Sequence, residues 1–155
     1  MSNRELTLTR TLNAPRALVF KAWTDPKMLA MWWGPKGFSN PRCEADARPG
    51  GVIRIDMRGP DGTVYPMDGT FEEIVPPERL IFYAAALNEK GEALFRNLNT
   101  VTFAEAGSKT TLILQARVVE IFDEKAEQYL KGMNEGWNQS LDRLAALVKT
   151  GKEAP

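Results

Sequence analysis

An α+β fold is expected from three features of the sequence. Between about Gly37 and Val119, turn chemistry divides the chain into consecutive strand-like segments with no convincing helix among them. Two short helical patterns come before these segments. One long amphipathic stretch, roughly Asp123 to Thr150, comes after them. Helices segregated from a meander of short-linked strands indicate α+β rather than alternating architecture.

The first element is a strand over Glu5 to Leu12, where Leu6 and Leu8 alternate with Thr7 and Thr9. Asn13-Ala14-Pro15 then starts a helix, with proline in its first turn. Leu18, Val19, Ala22 and Trp23 give that helix a buried face. Thr24-Asp25-Pro26 stops it and caps a second helix carrying Met28, Leu29, Met31 and Trp32, which Gly34-Pro35 ends. Trp23 and Trp32 read as structural.

Strands follow at approximately Gly37–Ala47, Val52–Arg58, Val64–Ile74, Arg79–Ala86, Ala93–Ala104 and Lys109–Val119. The breaks between them include Arg48-Pro49-Gly50-Gly51, Gly59-Pro60-Asp61-Gly62 and Asn88-Glu89-Lys90-Gly91. Breaks this short favour antiparallel hairpins. Alternation assigns the inward side chains: Leu112, Leu114, Ala116 and Val118 in the last strand, Val101 and Phe103 in the one before. Ile53, Ile55 and Met57 share a face, as do Tyr65, Met67, Gly69 and Phe71. A bulge would reverse such a phase.

In the final stretch Ala126, Tyr129, Leu130, Met133, Trp137, Leu141, Leu144, Leu147 and Val148 share one helical face. Gly132 and Gly136 lie along its edge. Glycine inside a helix costs roughly 1 kcal/mol relative to alanine, so room is wanted there, either for a ligand or for close helix–sheet contact. A helix laid into a curved sheet with a gap beside it builds a pocket. The tail Gly151-Lys152-Glu153-Ala154-Pro155 reads as frayed.

Composition removes several function classes. The 155 residues suit one domain, with an ordered core at about residues 5–150, and 43% apolar content supports a real core. Twenty basic and twenty acidic residues cancel, so no global field recruits nucleic acid or an anionic membrane. No apolar run is long enough to span a bilayer, and the N-terminus lacks a secretory pattern, so a cytoplasmic protein is expected. The chain has no histidine, which removes histidine triads and His-ligated zinc. No metal, nucleotide or other cofactor is expected, because neither a Gly-rich phosphate loop nor a Cys/His cluster is present. Cys43 is the lone cysteine and reads as a small buried hydrophobe.

Other polar residues leave alternatives open. Asn97 and Asn99 follow the parity of Val101 and Phe103 and would form a pocket floor; a shifted strand phase would instead leave both amides solvated, the reading slightly preferred. Asp56, Asp68 and Glu72 read as a solvated face, whereas Glu73 shares parity with Phe71 and is the carboxylate expected to turn inward. Arg54, Arg58, Arg96 and Arg117 read as solvated. Met28, Met31, Met57, Met67 and Met133 fill the core or soften a pocket wall.

Several local patterns together resemble a known family. They are Ala14-Pro15 with Val19-Phe20 and Ala22-Trp23, then Trp32-Trp33-Gly34-Pro35, Arg48-Pro49-Gly50-Gly51 and Gly69-Thr70-Phe71. Pro76-Pro77-Glu78-Arg79-Leu80 and Gly136-Trp137 with Leu141 and Leu144 complete the set. From about Leu6 to Val148 the chain is similar to bacterial proteins related to the C-terminal domain of the heat-shock-protein ATPase activator, in the START-like, polyketide-cyclase-like (SRPBCC) superfamily. The resemblance implies a single helix-grip domain, a curved antiparallel sheet of about seven strands around the last helix with a cavity between them. A ligand there would meet Trp33, Ile55, Tyr65, Met67 and Phe71 from the sheet side. Asn99 would lie on the floor, and Met133, Gly136 and Trp137 would come from the helix. Trp137 either lines that cavity or packs the core. The expected function is binding of an apolar or amphipathic small molecule, with no catalytic residue assigned. The competing readings are a chaperone-ATPase-interacting module and a cyclase- or hydrolase-like enzyme using a carboxylate or tyrosine such as Glu73 or Tyr65. Tyr65 or Phe71 on an exposed sheet face is a candidate homodimer contact.

Overall fold

The computed structural model describes residues 4–149. In chain order its elements are β1 (Glu5–Leu12), α1 (Arg16–Thr24), α2 (Pro26–Trp32), β2 (Ser39–Ala45) and β3 (Val52–Arg58). Then come β4 (Val64–Val75), β5 (Arg79–Leu87), β6 (Ala93–Ala106), β7 (Lys109–Ile121) and α3 (Ala126–Lys149). The seven strands form one curved sheet in the order β1-β7-β6-β5-β4-β3-β2. Short turns place β2 to β7 beside their sequence neighbours, every pair antiparallel. The one long-range pairing is β1 on β7, with Leu6 opposite Ala116 and Leu8 opposite Leu114.

Local chemistry sets the element ends. Pro15 sits at the N-cap of α1, and the Asp25 carboxylate accepts from Lys27 N at 3.0 Å to cap α2. The final helix starts three residues later than its periodicity suggests. The Asp123 side chain accepts from Lys125 N at 2.8 Å, forming a turn that holds Asp123 outside the helix. Thr150 and the tail lie outside the described residues. Two glycines are required by close backbone approach: a Cβ would lie 1.8 Å from Asp46 O at Gly51 and 2.0 Å from Tyr83 O at Gly69.

One bulge reverses an expected phase, and a second does not. In β4 the pairing steps from Phe71–Phe82 to Glu73–Ile81, so Glu72 is the extra residue. Glu73 therefore turns outward, against the parity expectation, and accepts from Arg79 Nε at 2.7 Å, while Ile74 turns toward the core. In β7 the step from Arg96–Glu120 to Asn97–Val118 leaves Val119 extra and exposed. The β6 alternation persists through this step, so Asn97 and Asn99 are both buried; the solvated reading of these amides is overturned. Phe71 is 1% exposed, so it is no surface contact for a second copy.

The sheet's inner face carries Leu12, Ile55, Leu80, Val101, Phe103, Leu112 and Leu114 against α1, α2 and the C-terminal half of α3, where Leu141, Leu144 and Val148 are buried. Burying each such leucine contributes about 1.5–3 kcal/mol. Phe20 joins this core, a contact the α1 pattern did not single out, while Met31 on α2 is exposed. A second, smaller cluster joins Leu94 and Phe95 to Ala126 and Leu130 at the start of α3. The helix is thus packed at both ends by separate apolar clusters. Along its length Arg10 of β1 donates to Asp142 Oδ1 at 2.7 Å and to Asn138 O at 3.1 Å.

Candidate functional site

Between the two clusters, α3 and the sheet do not close completely. A cavity of about 210 Å³ remains. Met133, Gly136, Trp137 and Ser140 present one wall from α3. Met57, Tyr65 and Met67 come from β3 and β4. Ala84, Ala85, Ala86, Phe95 and Asn97 come from β5 and β6, and Tyr129, Trp33, Gly34, Pro35 and Pro66 complete the lining.

The gap has identifiable causes. Gly136 presents no side chain, and a Cβ there would meet only Pro35 Cγ at 4.0 Å. On β5, Ala84 and Ala86 share the parity of buried Phe82 and leave the facing surface low. Gly132 is different: it is exposed, and a Cβ there would meet nothing within 4 Å. Neither glycine serves close helix–sheet contact, which answers the question left open by the sequence.

The indoles set the deep end. Trp137 stacks on Trp23 at 6.0 Å and meets Trp33 edge-on at 5.3 Å. Trp137 is therefore both core and cavity wall. Trp32 is fully buried, its Nε1 donating to Ala22 O at 2.9 Å. The loop from Trp33 to Lys36 is tied to α3. Arg143 donates to the carbonyls of Met31 (3.2 Å), Trp33 (3.1 Å), Gly34 (3.0 Å) and Pro35 (3.1 Å). The Lys36 amide donates to Gln139 Oε1 at 3.0 Å, and Asn40 Nδ2 donates to Trp33 O at 2.9 Å.

The cavity's electrostatics are neutral. Among the described residues, no lysine, arginine, aspartate or glutamate lines it. Burial raises the Tyr129 phenol above its ordinary range, and the neighbouring Tyr65 adds to this, so Tyr129 stays protonated near neutral pH. Such a site can bind and orient an uncharged molecule. It offers no carboxylate for proton transfer, since Glu73 is outside.

Of the residues expected to meet a ligand, Trp33, Tyr65, Met67, Met133, Gly136 and Trp137 are brought together here. Ile55, Phe71 and Asn99 do not reach the cavity. Ile55 and Asn99 are 0% exposed, and Phe71 faces a separate small void beside Trp23 and Phe82. Among the methionines, Met57, Met67 and Met133 line the wall, whereas Met28 is core. The alanines of β5 and Phe95 were missed. Small residues carry no signal of their own, whereas Phe95 shares the parity of Asn97, Asn99 and Val101, so strand alternation could have placed it.

A wider groove of about 600 Å³ lies on the outer face of β1, β7 and β6, where Glu5, Thr7, Gln115 and Arg117 are exposed. Its lining is largely polar and includes charged residues, unlike that of the cavity between the sheet and α3. Among the described residues, no helix is long and apolar enough to cross a membrane.

Residues 13–149 match the family model described as Activator of Hsp90 ATPase homolog 1-like protein. A solved protein from Chromobacterium violaceum is 30% identical, covering 96% of this chain and 99% of that one, with a TM-score of 0.79. One from Nitrosomonas europaea is 28% identical over 97% of each chain, with a TM-score of 0.78. The AHSA1 protein from Silicibacter pomeroyi, 24% identical over 96% of this chain and 99% of its own, shares the fold with a TM-score of 0.82. No curated protein matches.

Proposed function

The chain belongs to the family of Activator of Hsp90 ATPase homolog 1-like proteins, and on that basis we propose that it binds an apolar or amphipathic small molecule between the sheet and α3. The START-like fold of this family is generally a ligand-binding one. The observation that carries the reading is the cavity itself, about 210 Å³ with aromatic, methionine and alanine walls and, among the described residues, no charged one in its lining. It is held open by Gly136 and by packing concentrated at the two ends of α3. ATPase activation of a chaperone is the property for which the family is named. For this chain, the site geometry supports small-molecule binding.

Naphthalene titrated against tryptophan emission tests this, because Trp33 and Trp137 form part of the wall. Saturable binding is expected in the wild type. Gly136→Leu fills the space and weakens binding about tenfold or more. Gly132→Leu, at a position facing open space, leaves binding unchanged. Equal effects of the two substitutions contradict the reading.

A further inference from the structure

The cavity's polar chemistry narrows the ligand class, and the inference rests on the binding reading above. Its deep wall includes one buried amide, Asn97, which is 7% exposed. The orientation of that amide follows from its neighbours. Asn99 Nδ2 donates to the Phe82 carbonyl at 3.5 Å and to Asn97 Oδ1 at 3.4 Å. Reversing Asn97 would set two NH₂ groups against each other, and reversing Asn99 would set its oxygen against Phe82 O. Asn97 Oδ1 is thus committed to Asn99, and its Nδ2 is the group left over. Among the described residues that Nδ2 has no hydrogen-bond partner. That Nδ2 is open to the cavity rather than sealed away, whereas Asn99 Oδ1 is buried with no partner, so the amide pair is incompletely satisfied within the protein. Buried amide groups are ordinarily paired, and a bound molecule or ordered water can supply the missing partner.

Two further observations limit what that molecule is. With no charged residue in the wall among the described residues, an ionised carboxylate, phosphate or ammonium would lose its hydration with no compensating charge. A dry apolar cavity of about 150 Å³ holds benzene, so about 210 Å³ suits one or two fused rings with a small substituent. We propose that the cavity takes a neutral aromatic molecule bearing a carbonyl or ether oxygen, which accepts a hydrogen bond from Asn97 Nδ2. The ring lies against Trp33, Trp137 and the methionines, and the oxygen replaces the missing partner of Asn97.

Three probes of matched shape test it: 2-acetylnaphthalene, 2-isopropylnaphthalene and 2-naphthoate at neutral pH. The acetyl compound is expected to bind about fivefold more tightly than the isopropyl one, the worth of one net hydrogen bond. Naphthoate is expected not to bind measurably. In Asn97→Leu the preference for the acetyl compound disappears while isopropylnaphthalene still binds, showing that the cavity survives; Asn97→Ala is read the same way if the leucine variant does not fold. Equal wild-type binding of the acetyl and isopropyl probes overturns the acceptor assignment. Naphthoate binding as tight as the ketone overturns neutrality. A preference that persists without Asn97 overturns the choice of donor. Any of these leaves the cavity reading standing, whereas failure of all three probes and of naphthalene removes it along with the inference.

Discussion

Cys43 illustrates how far one residue can be read from its surroundings. It lies in β2 opposite Ile55, half-buried against the core, and desolvation pushes its thiol up to about 12. Only the thiolate reacts, so alkylation of the native protein at neutral pH should be at least about a hundredfold slower than for a free thiol near 8.5. A stopped-flow thiol assay measures this, and denaturant should restore the ordinary rate. Reaction at the free-thiol rate in the native state would show that the strand is open there. The sequence made the burial legible, because Cys43 alternates with charged Arg42 and Glu44. It did not make Glu73 legible. One extra residue, Glu72, turns that carboxylate outward, and nothing in the local composition marks the bulge.

Elements meet through a few specific ties, and two of these can be tested. Arg143 holds the end of α2 and the cavity rim to α3 through four carbonyls. A cation at a helix C-terminus suits the helix dipole, and the guanidinium fork reaches several oxygens at once. Arg143→Met should lower unfolding free energy by about 2–3 kcal/mol in urea denaturation, with Arg143→Lys recovering only part of it. Full recovery by lysine would mean that charge alone matters there. The second tie is Arg10 with Asp142. The hydrogen bond from Arg10, aided by its charge and that of Lys36, holds the Asp142 carboxyl below the usual range. A depressed folded-state value contributes stability above the unfolded carboxylate value of about 3.9, which is lost as pH falls through the folded value. Asp142 is largely solvated, so Asp142→Asn should cost at most about 1 kcal/mol at pH 7 and nothing near pH 2. A penalty that persists at pH 2 would point to packing instead. The strands and helices themselves were readable from alternation, turns and caps. Their long-range ties were not, because an arginine's partner carbonyl leaves no pattern in the chain.

Across the whole molecule, periodicity and turn chemistry are enough to specify a curved seven-stranded sheet with α3 against it. The cavity is harder to foresee because it arises from what is absent. Two apolar clusters pack the ends of α3, and glycine and alanine leave the middle unfilled. Residues called inward divide into those that reach the gap, such as Met67, and those sealed in the core, such as Ile55. Strand parity cannot separate these, since the division depends on depth along the helix. Methionines sample both environments and report on them directly. With the methyl groups labelled with ¹³C, titration with 2-acetylnaphthalene should shift the signals of Met57, Met67 and Met133, which line the cavity, and leave core Met28 and exposed Met31 in place. Shifts confined to Met31, or spread evenly over all five, would contradict binding between the sheet and α3.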